Sequence, residues 1–322
     1  MKVVVVGGVA GGASAAARIR RLDASAQIVM LEKGEHVSFS NCCLPYHLSG
    51  TIEKSSSLVL MTPERFQKQH DIEVRVHNEV TAIHRKEKKV VVRNLETQET
   101  YEERYDKLIL APGADPVLPK SIAGIDQPQV HVIRNVTDIE RLKAAVDAPG
   151  IEEVAVIGGG VVGCETAFWL RQELHKEVKV LEMTPVIMNH TCTANRGHLI
   201  HTLHKNGVEL LNCTRVTGFT PDGLLAVRNV SPTVPDPYDT WHPILPENIE
   251  NPLAPRIKVE EQAISLNADL IVLAAGGRAD DALFLEAQRR RVAPLVRQLG
   301  DSYQVGRVFE AVRAAYALAL AL

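Results

Sequence analysis

Two adjacent cysteines, Cys42 and Cys43, lie in the polar segment SFSNCCLPYHLSG (38–50). A buried packing cysteine usually lies in an apolar run, and a zinc site needs cysteine pairs that are separated by a short spacer. The segment has neither pattern. These residue types, in this polar surrounding, therefore predict a redox-active or nucleophilic thiol.

The remaining cysteines and a group of histidines could also do chemistry. Three cysteines match no redox pattern and are predicted to be packing residues: Cys164, Cys192 and Cys213. Beyond His190, three histidines recur at every third position of a predicted helix: His198, His201 and His204. Because no cysteine or carboxylate completes a ligand set there, we expect a solvent-facing stripe and no bound metal.

A glycine-rich turn near the start of the chain could bind a nucleotide. The segment KVVVVGGVAGGASAAARIRR (2–21) predicts a buried strand, a glycine turn and an alanine-rich helix. Such a turn lets backbone N–H groups approach a diphosphate at the helix N-terminus. The next segment, QIVMLEKG (27–34), predicts a strand that ends at Glu32, which is placed to accept hydrogen bonds from ribose hydroxyls. Val9 replaces the second glycine of the G-x-G-x-x-G pattern.

The same pattern recurs in the segment EVAVIGGGVVGCETAFWL (153–170). Gly158, Gly160 and Gly163 have the full G-x-G-x-x-G spacing, and the following strand ends at Glu182. Two such units predict two bound dinucleotides. Glu182 favours NAD(H) over NADP(H), because its carboxylate would repel the additional 2′-phosphate.

Two further segments connect the units. YDKLILAPGADPVLP (105–119) and NADLIVLAAGGRADD (267–281) each predict a strand that carries the chain between domains. The pattern predicts an α/β fold of two doubly wound, three-layer Rossmann-like domains, with the second inserted in the first. The proline-dense segment 228–256 is interpreted as a surface excursion, and the alternative is a partner-docking loop.

Composition and charge exclude several classes of partner. A net charge of −3 and a pI near 6.5 give no basic field for nucleic acid or for a membrane surface. No apolar run approaches the roughly 20 residues of a membrane-spanning helix, and MKVVVVGG does not resemble a signal peptide. Five scattered cysteines are typical of a reducing compartment. We therefore expect a cytoplasmic protein.

Taken together, the segments resemble the two-dinucleotide flavoprotein disulfide reductases, most closely the coenzyme A-disulfide reductase and NADH oxidase branch. The resemblance rests on VVVGGVAGGASAAARIRRLD, SFSNCCLPY, YDKLILAPGADP, VIGGGVVGCETA, LIVLAAGGR and LGDSYQVGR. It implies FAD in a domain of residues 1–115 and 266–322, and NAD(H) in a domain of residues 116–265. It places the single redox cysteine of the family at Cys42 and a small packing residue at Cys43.

The resemblance also implies individual roles. The residues expected to contact FAD are Gly7, Gly8, Val9, Ala10, Gly11, Gly12, Glu32, Lys33, Asn41, Val80, Ala111, Pro112, Gly113 and Asp301. The residues expected to contact NAD(H) are Gly158, Gly160, Val162, Gly163, Glu182 and Gly276. Cys42 and Glu165 are the expected catalytic residues. The expected substrate contacts are Ser38, Asn41 and Arg21, the last at the phosphates of coenzyme A.

In such an enzyme, hydride passes from NADH through FAD to the Cys42 thiol, and on to a CoA-linked or other small disulfide or persulfide. One alternative is an NADH oxidase or peroxidase in which Cys42 cycles through a sulfenic acid. A second is an electron-transfer module that supplies a partner reductase, and a third is a non-catalytic flavin-binding remnant.

The C-terminal part is also similar to the FAD/NAD module of Old Yellow Enzyme-type 2-enoate and dienoyl-CoA reductases. We expect no C-terminal dimerisation domain of the coenzyme A-disulfide reductase kind. The acceptor, the oligomeric state and a redox role for Cys43 are therefore left open.

Overall fold

The computed structural model of the chain describes residues 1–189, 191–243, 249, 256–279, 281–290, 298–303, 305–306 and 308–322. It divides into two compact units. The first unit comprises Met1–Ser40, Ser56–Asp115 and Gly277–Leu322, and the second comprises Asn41–Ser55 and Pro116–Gly276. Among the described residues, no helix is both long and apolar enough to cross a lipid bilayer.

The strands of the described residues are, in chain order, β1 (Lys2–Val6), β2 (Gln27–Leu31), β3 (Glu73–Arg75), β4 (Asn78–His84), β5 (Lys89–Asn94), β6 (Thr100–Arg104), β7 (Lys107–Leu110), β8 (Ala114–Pro116), β9 (Val130–Val132), β10 (Glu153–Ile157), β11 (Glu177–Leu181), β12 (Glu209–Leu211), β13 (Thr214–Thr220), β14 (Gly223–Asn229), β15 (Glu261–Asn267), β16 (Leu270–Leu273) and β17 (Gly277–Ala279). The helices are α1 (Ala10–Leu22), α2 (Leu44–Leu48), α3 (Pro63–His70), α4 (Val136–Val146), α5 (Val161–Gln172), α6 (Thr193–Lys205), α7 (Ala282–Arg289) and α8 (Val308–Leu320). Short 3-10 turns lie at Asn41–Cys43, Ser55–Leu58 and Gly300–Ser302.

The first unit is built on a parallel sheet with the strand order β3-β2-β1-β7. Val3 and Val5 of β1 are buried in a core to which α1 and α8 contribute. Val4 and Val29 face the other side, where Val90 of the antiparallel meander β4-β5-β6 covers them. Both faces of the sheet are therefore buried, which explains the unbroken valine run.

The second unit repeats this architecture. Its parallel sheet has the order β12-β11-β10-β16-β9, and the antiparallel meander β13-β14-β15 covers one face. Ala155 of β10 and Ile271 of β16 pack with Phe219 and Leu224 of the meander. The predicted α/β fold with parallel sheets is confirmed.

The compact units differ from the predicted domain boundaries in two places. Residues 266–276, which we expected in the FAD domain, belong to the second unit because β16 pairs with β10. Residues 41–55, which we also expected there, belong to the second unit because α2 packs against α4 and α5. Cys42 and Cys43 are thus part of the unit that carries the second glycine motif.

Candidate functional site

The first glycine turn lies where β1 ends in the first unit. Gly7 has a φ of 97°, and a Cβ on it would overlap the carbonyl oxygen of Ala111, which follows β7. A Cβ on Gly12 would overlap the carbonyl oxygen of Gly7. Only glycine fits these two positions, because the backbone must bend sharply between the strand and α1.

Glu32 fastens this turn to the end of β2. Its Oε2 accepts a hydrogen bond from the Gly8 N–H at 2.7 Å, and its Oε1 accepts one from the Gly34 N–H at 2.8 Å. The Ser38 N–H donates to the Gly8 carbonyl at 2.9 Å, and Ser38 adopts the left-handed region with a φ of 46°. A non-glycine residue in this region is uncommon and marks a constrained loop.

Several other predicted FAD contacts lie near this turn. Val9 is the N-cap residue of α1, so its side chain stands where the second glycine of the pattern would be, and Ala10 begins the helix. The buried Leu299 lies 3.3 Å from where a Cβ on Gly11 would be. This contact brings the 3-10 turn that contains Asp301 to the helix start.

The remaining predicted FAD contacts of the first unit lie on several of its loops and strands. Asp301 Oδ1 accepts a hydrogen bond from the Gly306 N–H at 3.2 Å. Lys33 is exposed and lies 3.8 Å from the Asp115 carboxylate. Val80 lies at an irregularity of β4 and is partly buried. Pro112 and Gly113 follow β7 and Ala111, as their sequence order requires.

The second glycine turn repeats the first at the end of β10. Gly158 has a φ of 115°, and a Cβ on it would overlap the carbonyl oxygen of Ala274. A Cβ on Gly163 would overlap the Gly158 carbonyl oxygen, and one on Gly159 would lie 2.8 Å from Ile187 Cδ1. A Cβ on Gly160, in contrast, would meet no atom within 4 Å. Gly160 therefore borders open space.

Glu182 holds the second turn as Glu32 holds the first. Its Oε2 accepts a hydrogen bond from the Gly159 N–H at 2.8 Å, and its Oε1 accepts one from the Thr184 N–H at 2.8 Å. The Met188 N–H donates to the Gly159 carbonyl at 2.7 Å, and Met188 also has a left-handed φ, of 53°. The two units thus share one arrangement of turn, carboxylate and constrained loop.

Both turns fit a bound dinucleotide. Each carboxylate uses one lone pair per oxygen for the backbone, so further lone pairs are left to accept from ribose hydroxyls. In the second unit, Gly160 leaves room beside the N-terminus of α5, where the backbone N–H groups and the helix dipole favour a diphosphate. The predicted contacts Val162 and Gly276 are both exposed there; Gly276 has a φ of 86° and open space around it.

The predicted thiol lies in the second unit, in the 3-10 turn Asn41–Cys43 that leads into α2. Cys42 is exposed and Cys43 is partly exposed. Tyr46 of α2 stacks in a tilted geometry on Trp169 of α5, with 5.4 Å between the ring centroids. Trp169 is one helical turn beyond Glu165, so both lie on the same face of α5. The thiol turn and Glu165 are therefore carried by packed elements of one unit.

Burial raises the pKa of the half-buried Glu165 carboxyl. Asn41 is partly exposed, but its Oδ1 is buried and has no hydrogen-bond partner among the described residues. Arg21 is exposed at the end of α1, and its Nη2 donates to the Tyr316 hydroxyl of α8 at 2.7 Å. Ser38 belongs to the first unit, whereas Asn41 and Cys42 belong to the second.

The other cysteines differ in their surroundings. Cys164 is fully buried, and burial raises the pKa of its thiol to about 12, so it is a packing residue as predicted. The prediction for Cys192 is wrong: it is exposed, because it precedes α6 where the chain reaches the surface. Cys213 is partly exposed.

The histidine stripe is exposed on α6, as predicted from its spacing; its members are His198, His201 and His204. His204 stacks on Tyr238 with 4.2 Å between ring centroids. His190 lies outside the described residues. Within the described part of the chain, no group of three or more His, Cys, Asp or Glu side chains could hold a metal ion.

Two residues near these sites have no distinguishing signal in the sequence. Trp169 lies in an apolar helix segment, where an aromatic residue is ordinarily core. Arg196 is buried in α6, and nothing in the run TANRGHLIHTLHK distinguishes it from a surface arginine. The packing of Trp169 on Tyr46 and the burial of Arg196 depend on tertiary contacts, so spacing along the chain could not have identified them.

The family model described as "Pyridine nucleotide-disulphide oxidoreductase" matches residues 1–294. The coenzyme A disulfide reductase of Staphylococcus aureus (strain JH9) is 36% identical over 194 residues, which are 58% of this chain and 43% of that relative. The chain thus matches less than half the length of that relative.

Two solved structures are similar over most of the chain. Reduced CoADR-RHD of Bacillus anthracis superposes with a TM-score of 0.77 at 30% identity, covering 99% of this chain and 56% of that one. An NAD-dependent persulfide reductase from A. fulgidus gives a TM-score of 0.70 at 27% identity, covering 89% of this chain and 48% of that one.

Proposed function

Since the chain belongs to the pyridine nucleotide-disulphide oxidoreductase family, we propose that it is an FAD-dependent NADH:disulfide reductase whose reacting thiol is Cys42. The observation that carries the proposal is the position of Cys42. Its turn packs, through α2, on the helix that begins at the second glycine motif and carries Glu165.

FAD is assigned to the first unit. Gly7, Gly8 and Gly11 would receive its diphosphate beside α1, and Glu32 would accept hydrogen bonds from its adenosine ribose. The bonds from Gly8 and Gly34 hold that carboxylate in place, so little order has to be gained on binding. The turn that contains Asp301 would approach the cofactor from the side of Leu299.

NAD(H) is assigned to the second unit. Gly158, Gly160 and Gly163 would receive its diphosphate, and Glu182 would accept hydrogen bonds from its adenosine ribose. When bound, FAD supplies a hydride acceptor for NADH and a two-electron donor for a thiol-linked disulfide. The half-buried Glu165, whose pKa is raised by burial, would present a carboxyl group near the nicotinamide.

The Cys42 thiolate performs the exchange with the substrate. It attacks one sulfur of a disulfide RSSR, forms a mixed disulfide, and releases the other half as RS⁻, which takes up a proton. Two electrons, which originate from NADH, and a proton then cleave the mixed disulfide into the second RSH and the Cys42 thiolate. The balance is RSSR, NADH and one proton converted to two RSH and NAD⁺.

A CoA-linked disulfide or persulfide is the proposed acceptor. The names of the similar proteins from S. aureus and A. fulgidus support this class of substrate. In this chain, Asn41 offers a buried Oδ1 beside the thiol turn, and Arg21 offers a guanidinium for phosphate groups. Ser38 is the remaining proposed substrate contact.

A panel of acceptors tests the proposal. NADH consumption by the flavin-loaded chain is measured with CoA disulfide, a CoA persulfide, oxygen and hydrogen peroxide, beside Cys42→Ser and the neighbouring Cys43→Ser. We expect turnover with the sulfur acceptors that Cys42→Ser abolishes and Cys43→Ser retains. Fast turnover with oxygen or peroxide alone would favour the oxidase or peroxidase alternative. Reduction of an artificial acceptor alone, equal in all three proteins, would favour the electron-transfer module.

A further inference from the structure

Among the hydrogen bonds that hold the segment 183–189, here called the Glu182 loop, three involve Met188, Asn212 and Arg196. Met188 donates its N–H to the Gly159 carbonyl, as described above. The buried Asn212 donates from Nδ2 to the Pro185 carbonyl at 2.8 Å. The third contact comes from Arg196 of α6, whose Nε donates to the Ile187 carbonyl at 2.9 Å. Ile187 is fully buried against Gly159, so this contact acts directly behind the glycine turn.

Arg196 is an unusual residue for a purely structural contact. It is only 4% exposed, and its Nη1 is buried without a hydrogen-bond partner among the described residues. Burial lowers the pKa of the Arg196 guanidinium, and the charge of Asp239 opposes that effect. A buried cation with an unused donor costs free energy. The contact between Nε and the Ile187 carbonyl does not offset such a cost, which argues that the guanidinium does more than stabilise the fold.

Among the described residues of the first unit, no buried arginine holds the equivalent loop. There the Leu60 N–H donates to the Ser38 carbonyl at 2.8 Å, and Phe39 forms a β-bridge with Val59. Backbone hydrogen bonds from a neighbouring segment thus hold the loop of the first unit, as Arg196 holds the loop of the second unit. Each loop has one residue in the left-handed region at the equivalent position, Ser38 in the first unit and Met188 in the second. The contacts that hold the two loops differ.

We propose that Arg196 is a positioning residue for NAD(H), which fixes the Glu182 loop against Gly159 and so sets the geometry of the ribose-binding carboxylate. The inference rests on the proposed function of the second unit. Arg196 itself contacts the loop, and its effect reaches the cofactor through Ile187, Gly159 and Glu182. Loss of the contact therefore weakens the affinity for NADH and leaves flavin loading unchanged.

The test compares Arg196→Lys and Arg196→Met with a matched control, Arg171→Lys. Arg171 lies in the same unit and also donates from Nε to a backbone carbonyl, that of Asn206, at 2.8 Å. It is placed at the other end of α5 from the glycine turn. For each flavin-loaded variant, the Kd for NADH is measured by anaerobic calorimetry, together with the flavin content, the Tm, and KM and kcat with ferricyanide.

We expect the Kd for NADH to rise about tenfold in Arg196→Met and about threefold or more in Arg196→Lys, the scale of one weakened hydrogen bond. KM for NADH follows the Kd, while kcat and flavin content stay at the wild-type level. Arg171→Lys lowers the Tm but keeps the Kd within about twofold. If Arg196→Met does not fold, Arg196→Lys decides by the same criterion.

An Arg196→Lys variant that binds NADH with less than about a threefold loss overturns the inference. So does an equal loss of affinity in Arg171→Lys, because the effect would then be general to the unit. A wild-type chain that binds no NADH overturns the proposed function, and the inference with it. If the wild type binds NADH and the Arg196 variants bind it equally well, the inference is wrong and the proposed function stands.

Discussion

The carboxylate of Glu182 accepts a hydrogen bond from the backbone N–H of Gly159 at 2.8 Å. This bond joins the end of β11 to the glycine turn that follows the neighbouring parallel strand, β10. In the first unit Glu32 makes the same bond to Gly8, at 2.7 Å. Each carboxylate therefore fixes the glycine turn beside it, in addition to the ribose binding that we propose for it.

Replacing Glu182 with glutamine should weaken the binding of NADH. The change removes the charge and one acceptor oxygen of a carboxylate that bonds to Gly159 and that we assign to the ribose, so we expect the Kd for NADH to rise about tenfold or more. The Kd for NADPH should rise less, because the carboxylate no longer repels a 2′-phosphate. Both constants are measured by anaerobic titration.

Glu32→Gln is the matched control for that substitution. It changes the same kind of contact in the first unit, so it should lower the flavin content and leave the Kd of the flavin-loaded fraction for NADH unchanged. An NADH affinity that falls in Glu32→Gln and stays constant in Glu182→Gln would reverse the assignment of the two units.

Gly160→Ala should separate cofactor binding from folding. The added Cβ meets no protein atom within 4 Å, so the Tm should change by no more than about 2 °C, the effect of losing a good N-cap residue. The Kd for NADH should nevertheless rise about tenfold or more, because the methyl group occupies the space for the diphosphate. Calorimetry gives both values.

Gly158→Ala provides the contrasting result. Its Cβ would overlap the Ala274 carbonyl oxygen and force a residue with a side chain into a φ of 115°, so the second unit should lose stability outright. Equal NADH affinity in Gly160→Ala and wild type would show that the open space at Gly160 is not the diphosphate site.

Trp169→Leu should loosen the thiol turn. The Tyr46–Trp169 pair holds α2 on α5, and such aromatic pairs contribute about 0.5–1.5 kcal/mol beyond their buried area. Alkylation of Cys42 by iodoacetamide should therefore become roughly three to ten times faster, as the turn opens more often. Peptide mass spectrometry follows the reaction, with the exposed Cys192 as the internal reference thiol.

Phe168→Leu is the control for this effect. It removes the edge-to-face contact with Trp169, whose centroid distance is 4.7 Å, and keeps the Tyr46–Trp169 pair. Its Cys42 should react at the wild-type rate. The same acceleration in both variants would mean that the aromatic pair does not position the thiol.

Glu165→Gln should stabilise the protein at neutral pH. Burial raises the pKa of Glu165, so this group favours folding most below the pKa of an unfolded glutamate. That contribution is lost as the pH rises through the higher folded pKa. At about pH 7 the buried charge of Glu165 destabilises the wild type, whereas a neutral glutamine does not have this effect. Since Glu165 is only half-buried, solvent screens part of it, and we expect a Tm gain of about 1–2 °C.

The gain should vanish at about pH 4, where Glu165 is largely protonated in both states. The same variant should reduce its flavin with NADH more slowly than the wild type, a cost typical of a functional carboxyl group. Glu173→Gln, at an exposed position after α5, should change neither property. A Tm gain that persists at about pH 4 would show that burial of the charge is not its cause.

Much of the fold was predictable from local signals. The valine strand β1, the glycine turns and the strands β2 and β11, which end one residue before Glu32 and Glu182, lie close to where they were predicted, because each depends on a few adjacent residues. The exposed stripe of His198, His201 and His204 followed from helical periodicity in the same way.

Features that depend on tertiary contacts were not predictable. The segment 41–55 belongs to the second unit because of packing between α2, α4 and α5, and no sequence pattern reports that contact. Cys192 resembles the packing cysteines in sequence and is nevertheless exposed. The burial of Arg196 depends on α6 lying over the Glu182 loop, which a helix pattern alone cannot specify.

The most direct test of the account is an anaerobic NADH titration of the chain beside Cys42→Ser, after both have been treated with CoA disulfide and freed of excess reagent. The visible spectrum reports the flavin, and released CoA thiol is counted. We predict that the wild type takes up two more electrons per flavin than Cys42→Ser and releases one CoA thiol with them, because a mixed disulfide at Cys42 must be reduced. If both proteins bleach with the same amount of NADH and release no thiol, Cys42 does not take part in electron transfer, and the reductase proposal is wrong.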